Sequence, residues 1–106
     1  MPKYLLEVHY TKQGDQALLD KGGTARQRVA SAAAKSLGGK LESFYFAFGD
    51  VDAFAVFEMP DPESAAALAL TVAASGAVNV KTVVLLTPAQ IDAAAEHHVK
   101  YRPPGS

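Results

Sequence analysis

Apolar and polar residues alternate at the start of the chain. Leu6 and Val8 fall on one side of an extended segment, whereas Glu7 and His9 fall on the other. This two-residue period is typical of a strand that buries one face. The pattern therefore predicts a first strand over residues 4–10, with Leu6 and Val8 toward the core.

Glycines interrupt the helical pattern that follows. Thr11 can cap a helix over residues 12–21, because threonine is a favoured residue at that position. The glycine pair at 22–23 ends that helix, and Thr24 can cap a second one over residues 25–37. The sequence thus predicts a first helix broken into two pieces.

The next segment, residues 40–48, is apolar on both of its sides. Phe44 and Phe46 share one side, and Leu41 and Tyr45 share the other. We place Leu41 and Tyr45 toward the helices, which leaves Phe44 and Phe46 on the opposite face of the sheet.

The rest of the chain supplies the remaining elements. Thr87 and Gln90 form a capping-box pattern with a proline between them, which marks a helix start. The predicted elements are a third strand over 53–58, a helix over 62–74, a fourth strand over 78–86 and a last helix over 88–98, before an extended tail over 101–106.

This order predicts a single α+β domain of 106 residues. Strand, helix, strand, strand, helix, strand is the order of a ferredoxin-like split βαβ sandwich with a four-stranded antiparallel sheet. The broken first helix and the extra C-terminal helix are additions to it. Both helical layers of such a unit cover the same face of the sheet, so the other face stays open.

The open face is predicted to be apolar enough to drive self-association. We expect it to carry Leu5, Glu7 and His9 from the first strand, with Phe44 and Phe46 from the second. A patch of several large apolar side chains exceeds what a monomer usually exposes, so we expect a homo-oligomer built through this face. The third strand adds either Phe54 and Val56 or Ala53 and Ala55, and the fourth adds either Lys81, Val83 and Leu85 or their neighbours.

Composition narrows the classes of function. Ten Lys and Arg against eleven Asp and Glu are scattered along the chain, so no nucleic-acid footprint is visible. Cysteine is absent, which removes disulfides, thiolate nucleophiles and thiolate metal sites. The sequence predicts no cofactor, no membrane span and, for lack of a leader pattern, a cytoplasmic protein.

Three polar side chains are the strongest candidates for chemistry. Glu7 and His9 share a strand face, and Lys81 can reach them across the sheet. Such a cluster can bind an anion or move a proton when it is enclosed, with Tyr45 as a further candidate. Hydrogen bonds and ion pairs between subunits explain the same residues and are favoured.

Other candidates are a ligand pocket, a metal site and an anion site. His9, Tyr10, Phe44 and Lys81 are the predicted ligand-binding residues, although aromatic residues on strands usually belong to the core. His97 and His98 are adjacent, whereas helical metal ligands are spaced by about four residues, so we predict no metal there. The glycine pair at 22–23 and Thr24, followed by Arg26 and Arg28, could offer amide protons and charge to an anion, but a hinge between two helical pieces is favoured.

Five stretches of the chain resemble the GYD domain family. They are residues 4–7 (Tyr-Leu-Leu-Glu), 22–26 (Gly-Gly-Thr-Ala-Arg), 37–42 (Leu-Gly-Gly-Lys-Leu-Glu), 46–52 (Phe-Ala-Phe-Gly-Asp-Val-Asp) and 101–105 (Tyr-Arg-Pro-Pro-Gly). The resemblance implies a bacterial protein of the dimeric α+β barrel type, and it implies no particular activity. The family is named for a glycine, a tyrosine and an aspartate, of which Gly49 and Asp52 match, whereas Val51 stands at the tyrosine position. We expect a structural role for this hairpin, with Gly49 adopting an unusual backbone angle and the acids capping turn amides.

Three functions remain open on the sequence alone. The first is an oligomeric protein that binds a small molecule between sheet and helices or inside a barrel. The second is a cofactor-independent oxygenase or isomerase that uses His9, Glu7 and a tyrosine. The third is an oligomeric scaffold without a ligand.

Overall fold

The structure is a computed structural model that describes residues 1–105. It contains β1 (Lys3–Tyr10), α1 (Lys12–Lys21), α2 (Gly23–Ser36), β2 (Lys40–Phe46), β3 (Ala53–Glu58), α3 (Pro62–Ala74), β4 (Val78–Leu85) and α4 (Pro88–Ala95). The strands form one antiparallel sheet in the order β2-β3-β1-β4. The predicted α+β class and ferredoxin-like order are confirmed, because each βαβ crossover skips one strand. Ser106 lies outside the described residues.

The core lies between the sheet and the helices. Tyr4, Leu6 and Val8 of β1 are buried, as the alternation predicts, and the residues directly opposite them on β3 include Ala55 and Phe57. Leu68 of α3 and Ala34 of α2 are buried in the same cluster as these strand residues. Nearly all of the buried residues therefore lie between the helices and one face of the sheet.

Two of the three predicted helix caps, Thr11 and Thr87, are confirmed. The Thr11 hydroxyl accepts from the Gly14 amide, and Thr87 and Gln90 form the complete capping box. Asp61 caps α3, where its carboxylate accepts from the Ser64 amide at 2.7 Å. The prediction that Thr24 caps α2 is wrong: the helix begins at Gly23, two residues earlier than predicted, so Gly22 is the N-cap and Thr24 lies inside the first turn.

A β-bulge in β2 overturns the predicted orientation of that strand. Leu41 pairs with the inward-facing Phe57, but the next paired residue is Ser43, so one residue is extra. The extra residue reverses the alternation, because side chains beyond a bulge point to the opposite face. Phe44 therefore packs against the core and Tyr45 points outward, 71% exposed.

Phe46 also lies on the side of the sheet opposite to the one predicted. It pairs with the buried Ala53 and stacks against the ring of Tyr10, on the helix side of the sheet. The predicted open-face positions of Phe44 and Phe46 are therefore both wrong. Glu42 is the bulged residue, and its carboxylate accepts from the Lys3 ammonium at 2.7 Å.

The C-terminal segment extends away from the body of the protein. Helix α4 ends at Ala95, earlier than predicted, and buries none of its residues. The Cα radius of gyration is 16.9 Å, whereas a compact domain of similar length has about 13 Å. Among residues 1–105, no helix is long and apolar enough to cross a membrane.

Candidate functional site

The predicted polar cluster lies on the open face of the sheet. Glu7 is directly opposite Lys81 on the neighbouring strand, and His9 is opposite Asn79. Residues opposite each other in an antiparallel pair share a face, so Glu7, His9 and Lys81 are neighbours as predicted. Tyr45 is on this face too, but β3 and β1 separate its strand from β4.

The predicted ligand-binding residues divide between the two faces. Tyr10 and Phe44 lie on the helix side, whereas His9 and Lys81 lie on the open side. The strand alternation in β1 separates His9 from Tyr10, and the bulge in β2 turns Phe44 inward. One pocket therefore cannot contain all four side chains within one copy of the chain.

An apolar cavity of about 60 Å³ lies between the sheet and the helices. We call it the inner cavity. Apolar side chains of β1, β2, α2 and α3 form most of its wall, and Arg26 is its charged residue. The lining includes Leu6, Tyr10, Arg26, Ala33, Phe44 and Leu68.

Arg26 reaches the inner cavity because of its place on α2. It lies one turn before Ala30 and two turns before Ala33, on the face that packs on the sheet. The sequence offered Arg26 only as part of an anion site at the glycine pair, whereas the structure places it on the apolar face of α2, at the wall of the inner cavity. Among residues 1–105, no carboxylate lies within ion-pair distance of its guanidinium.

Tyr10 stands at the border of the inner cavity. Burial raises the pKa of the Tyr10 hydroxyl above its ordinary value. A hydrogen bond with the Arg26 side chain and the positive charge of Arg26 lower the same pKa, and so offset part of this rise. The charges of Asp52 and Asp15 raise the same pKa further. The Tyr10 ring stacks on Phe46 with centroids 6.4 Å apart and planes 24° apart.

A second cavity of about 300 Å³ lies on another side of Tyr10. We call it the outer cleft. It is formed where the end of β1 meets α1 and the loop between β2 and β3. Its lining includes Tyr10, Asp15, Leu18, Phe46, Phe48 and Asp52. Neither this cleft nor the inner cavity is lined by Glu7, His9, Lys81 or Tyr45.

The β2–β3 hairpin is tied to the end of β1 beside the outer cleft. The Asp52 carboxylate accepts from the Tyr10 amide at 2.8 Å, and the Asp52 amide donates to the Val8 carbonyl at 2.9 Å. Gly49 has φ of 142°, which confirms the predicted unusual angle. The prediction that Asp52 caps a turn amide is wrong, because its partner is the amide of another strand.

The two adjacent histidines do not form part of a site in the structure. His97 and His98 follow α4 and are exposed. Within residues 1–105, no three His, Asp or Glu side chains are grouped as a metal site would require.

A family model described as GYD domain matches residues 4–95 of the chain. The match includes both cavities and the hairpin that borders the outer cleft, and it stops before the motif at 101–105. No curated protein and no solved structure matches the chain significantly.

Proposed function

The chain belongs to the GYD domain family, and we propose that this member binds a small molecule with an apolar body in its inner cavity. The observation that carries the proposal is the cavity itself. Protein cores are packed about as densely as organic crystals, with few voids larger than a water molecule. A space of about 60 Å³ between sheet and helices is therefore a feature that needs an explanation.

The chemistry of the wall indicates the kind of ligand. One water needs roughly 15 Å³ of such space, and an apolar cavity tends to remain dry. The inner cavity, at about 60 Å³, is thus suited to an apolar group of a few carbon atoms. Arg26 supplies charged donors at the wall, so a ligand with an acidic group can pair with it.

An NMR titration with butyrate tests the proposal. We expect saturable shifts of backbone amides around Ala33 and Leu68, and weaker binding in the Arg26→Gln variant. Ala33→Val fills the cavity and should abolish these shifts. Ala32→Val, an exposed neighbour on the same helix, is the matched control and should bind as the wild type does. Unchanged binding by Ala33→Val would show that butyrate binds elsewhere.

We further propose that the open face of the sheet binds a second copy of the chain. Its centre is apolar, since Leu5 lies between Val56 and Val83 on the neighbouring strands. The surrounding charges balance, with three lysines and three glutamates, and such a surface can complement itself across a two-fold axis. The charged residues are Lys3, Glu7, Lys40, Glu42, Glu58 and Lys81.

Sedimentation velocity tests the self-association. We expect a dimer for the wild type and a monomer for Leu5→Glu, because the new carboxylate would be buried without a partner. Leu70→Glu is the control: Leu70 is 71% exposed on α3, away from the open face. A wild type that sediments as a monomer would contradict the proposal.

The oxygenase or isomerase hypothesis rests on His9, Glu7 and a tyrosine, for which Tyr45 is the candidate on the open face. These side chains share the open face, so a second copy would have to enclose them before burial could tune their chemistry. His9→Ala should then abolish turnover and leave the dimer intact. A dimer that binds nothing would instead be the scaffold. The cytoplasmic location and the lack of a nucleic-acid partner remain predictions from the sequence.

A further inference from the structure

We infer that the outer cleft binds an organic ammonium ion, of the size of a choline head group. This site is separate from the inner cavity, although Tyr10 lines both. The inference combines two observations that arise from different parts of the chain. Aromatic rings form much of the cleft, and two carboxylates lie at its wall.

The aromatic part consists of Tyr10, Phe46 and Phe48. Tyr10 and Phe46 stack on each other, and Phe44 packs edge-on against Phe46 with ring centroids 5.1 Å apart. Phe46 nonetheless remains 40% exposed, and Phe48 is fully exposed. Faces of aromatic rings attract cations, and aromatic side chains are the usual partners of quaternary ammonium ions.

The acidic part consists of Asp15 and Asp52. Asp15 belongs to the first turn of α1, and Asp52 precedes β3, so only the fold brings them to one cleft. Neither forms an ion pair with a lysine or arginine within the described part of the chain. The hydrogen bond from the Tyr10 amide at 2.8 Å fixes the Asp52 carboxylate in place. The outer cleft therefore carries two negative charges next to exposed rings.

Other classes of ligand fit this chemistry less well. Two carboxylates repel an anion, and a neutral apolar molecule gains nothing from them. A hard metal ion needs more oxygen ligands, and no third acidic or histidine side chain completes a metal site among residues 1–105. Arg26 hydrogen-bonds to the Tyr10 side chain, but it lines the inner cavity and not the outer cleft. An organic cation satisfies both the rings and the carboxylates.

The test compares choline with 3,3-dimethyl-1-butanol, which has the same shape without the charge. In an NMR titration of the full chain, we expect choline to shift the ring signals of Tyr10 and Phe46 saturably. The uncharged alcohol should cause no comparable shift. Phe46→Leu should weaken choline binding by about three- to thirtyfold, the range expected for a cation–π contact.

Charge variants separate a specific site from general attraction. Asp15→Asn removes a charge at an exposed position and should weaken choline binding by about two- to fivefold. Asp20→Asn removes the same charge elsewhere on α1, outside the cleft lining, and should have no effect. Equal binding of the alcohol, equal losses in both aspartate variants, or no response to choline would each overturn the inference.

Discussion

Filling the inner cavity should make the protein more stable. Ala33 is partly buried on α2 and lines the cavity. Ala33→Val adds two carbon atoms, each of which contributes about 0.8 kcal/mol when it is transferred from water to an apolar site. Valine in a helix costs about 0.5 kcal/mol relative to alanine. The free energy of unfolding should therefore rise by about 1 kcal/mol.

Thermal unfolding followed by circular dichroism measures this change. For a domain of this length, about 1 kcal/mol corresponds to a rise of roughly 4–8 °C in Tm. Ala32→Val is the matched control, because Ala32 is exposed on the same helix. It bears only the propensity cost, so its Tm should fall slightly. A larger loss in Ala33→Val than in Ala32→Val would show that the space is not free, and the reasoning would be refuted.

Three further variants test other parts of the structure. In urea titrations, Phe44→Ala should lower the free energy of unfolding by about 3 kcal/mol, and Tyr45→Ala should lower it by less than about 1 kcal/mol. The reason is that the bulge turns only Phe44 inward. A larger loss in Tyr45→Ala than in Phe44→Ala would contradict the bulge. Gly14→Ala should destabilise by about 2 kcal/mol or more, since a methyl group there would overlap the Ala77 carbonyl oxygen, and an unchanged urea midpoint would argue against this close approach. Hydrogen bonds in the first turn of α3 lower the pKa of Asp61, so its ionised form stabilises the fold above the ordinary carboxyl pKa. That contribution should be lost as the pH falls through the lowered pKa, so the Tm advantage of the wild type over Asp61→Asn should shrink in acid, and a constant difference would count against it.

The elements themselves could be predicted well because their start and stop residues are local. Two helix starts are determined by neighbouring residues alone. They are the capping box at Thr87 and Gln90, and the first turn of α3 with Pro62 and Glu63. The inward side of β1 followed from strict alternation, since only one of its faces is apolar enough for a core.

The orientation of β2 could not be predicted in the same way. The segment is apolar on both faces, so the pattern contains no trace of the extra residue at Glu42. Only pairing with β3 reveals the bulge, and the bulge places Phe44 in the core and Tyr45 outside. The assignment of Phe44 and Phe46 to the open face failed for this reason.

The site residues show the same limit. Tyr10 was among the predicted ligand residues, and the structure places it at the wall of both cavities. Its neighbours Arg26, Asp15 and Asp52 come from α2, α1 and a hairpin loop. No local pattern joins residues so far apart in sequence, although the position of Arg26 on an apolar helix face was a usable indication.

A crystal structure under xenon pressure tests the inner cavity most directly, because xenon enters dry apolar cavities in proteins. We expect a xenon atom between Ala33, Phe44 and Leu68 in the wild type and none at that position in Ala33→Val. Wild-type crystals with no xenon there, and with these side chains in mutual contact, would contradict the proposal that the cavity receives a ligand.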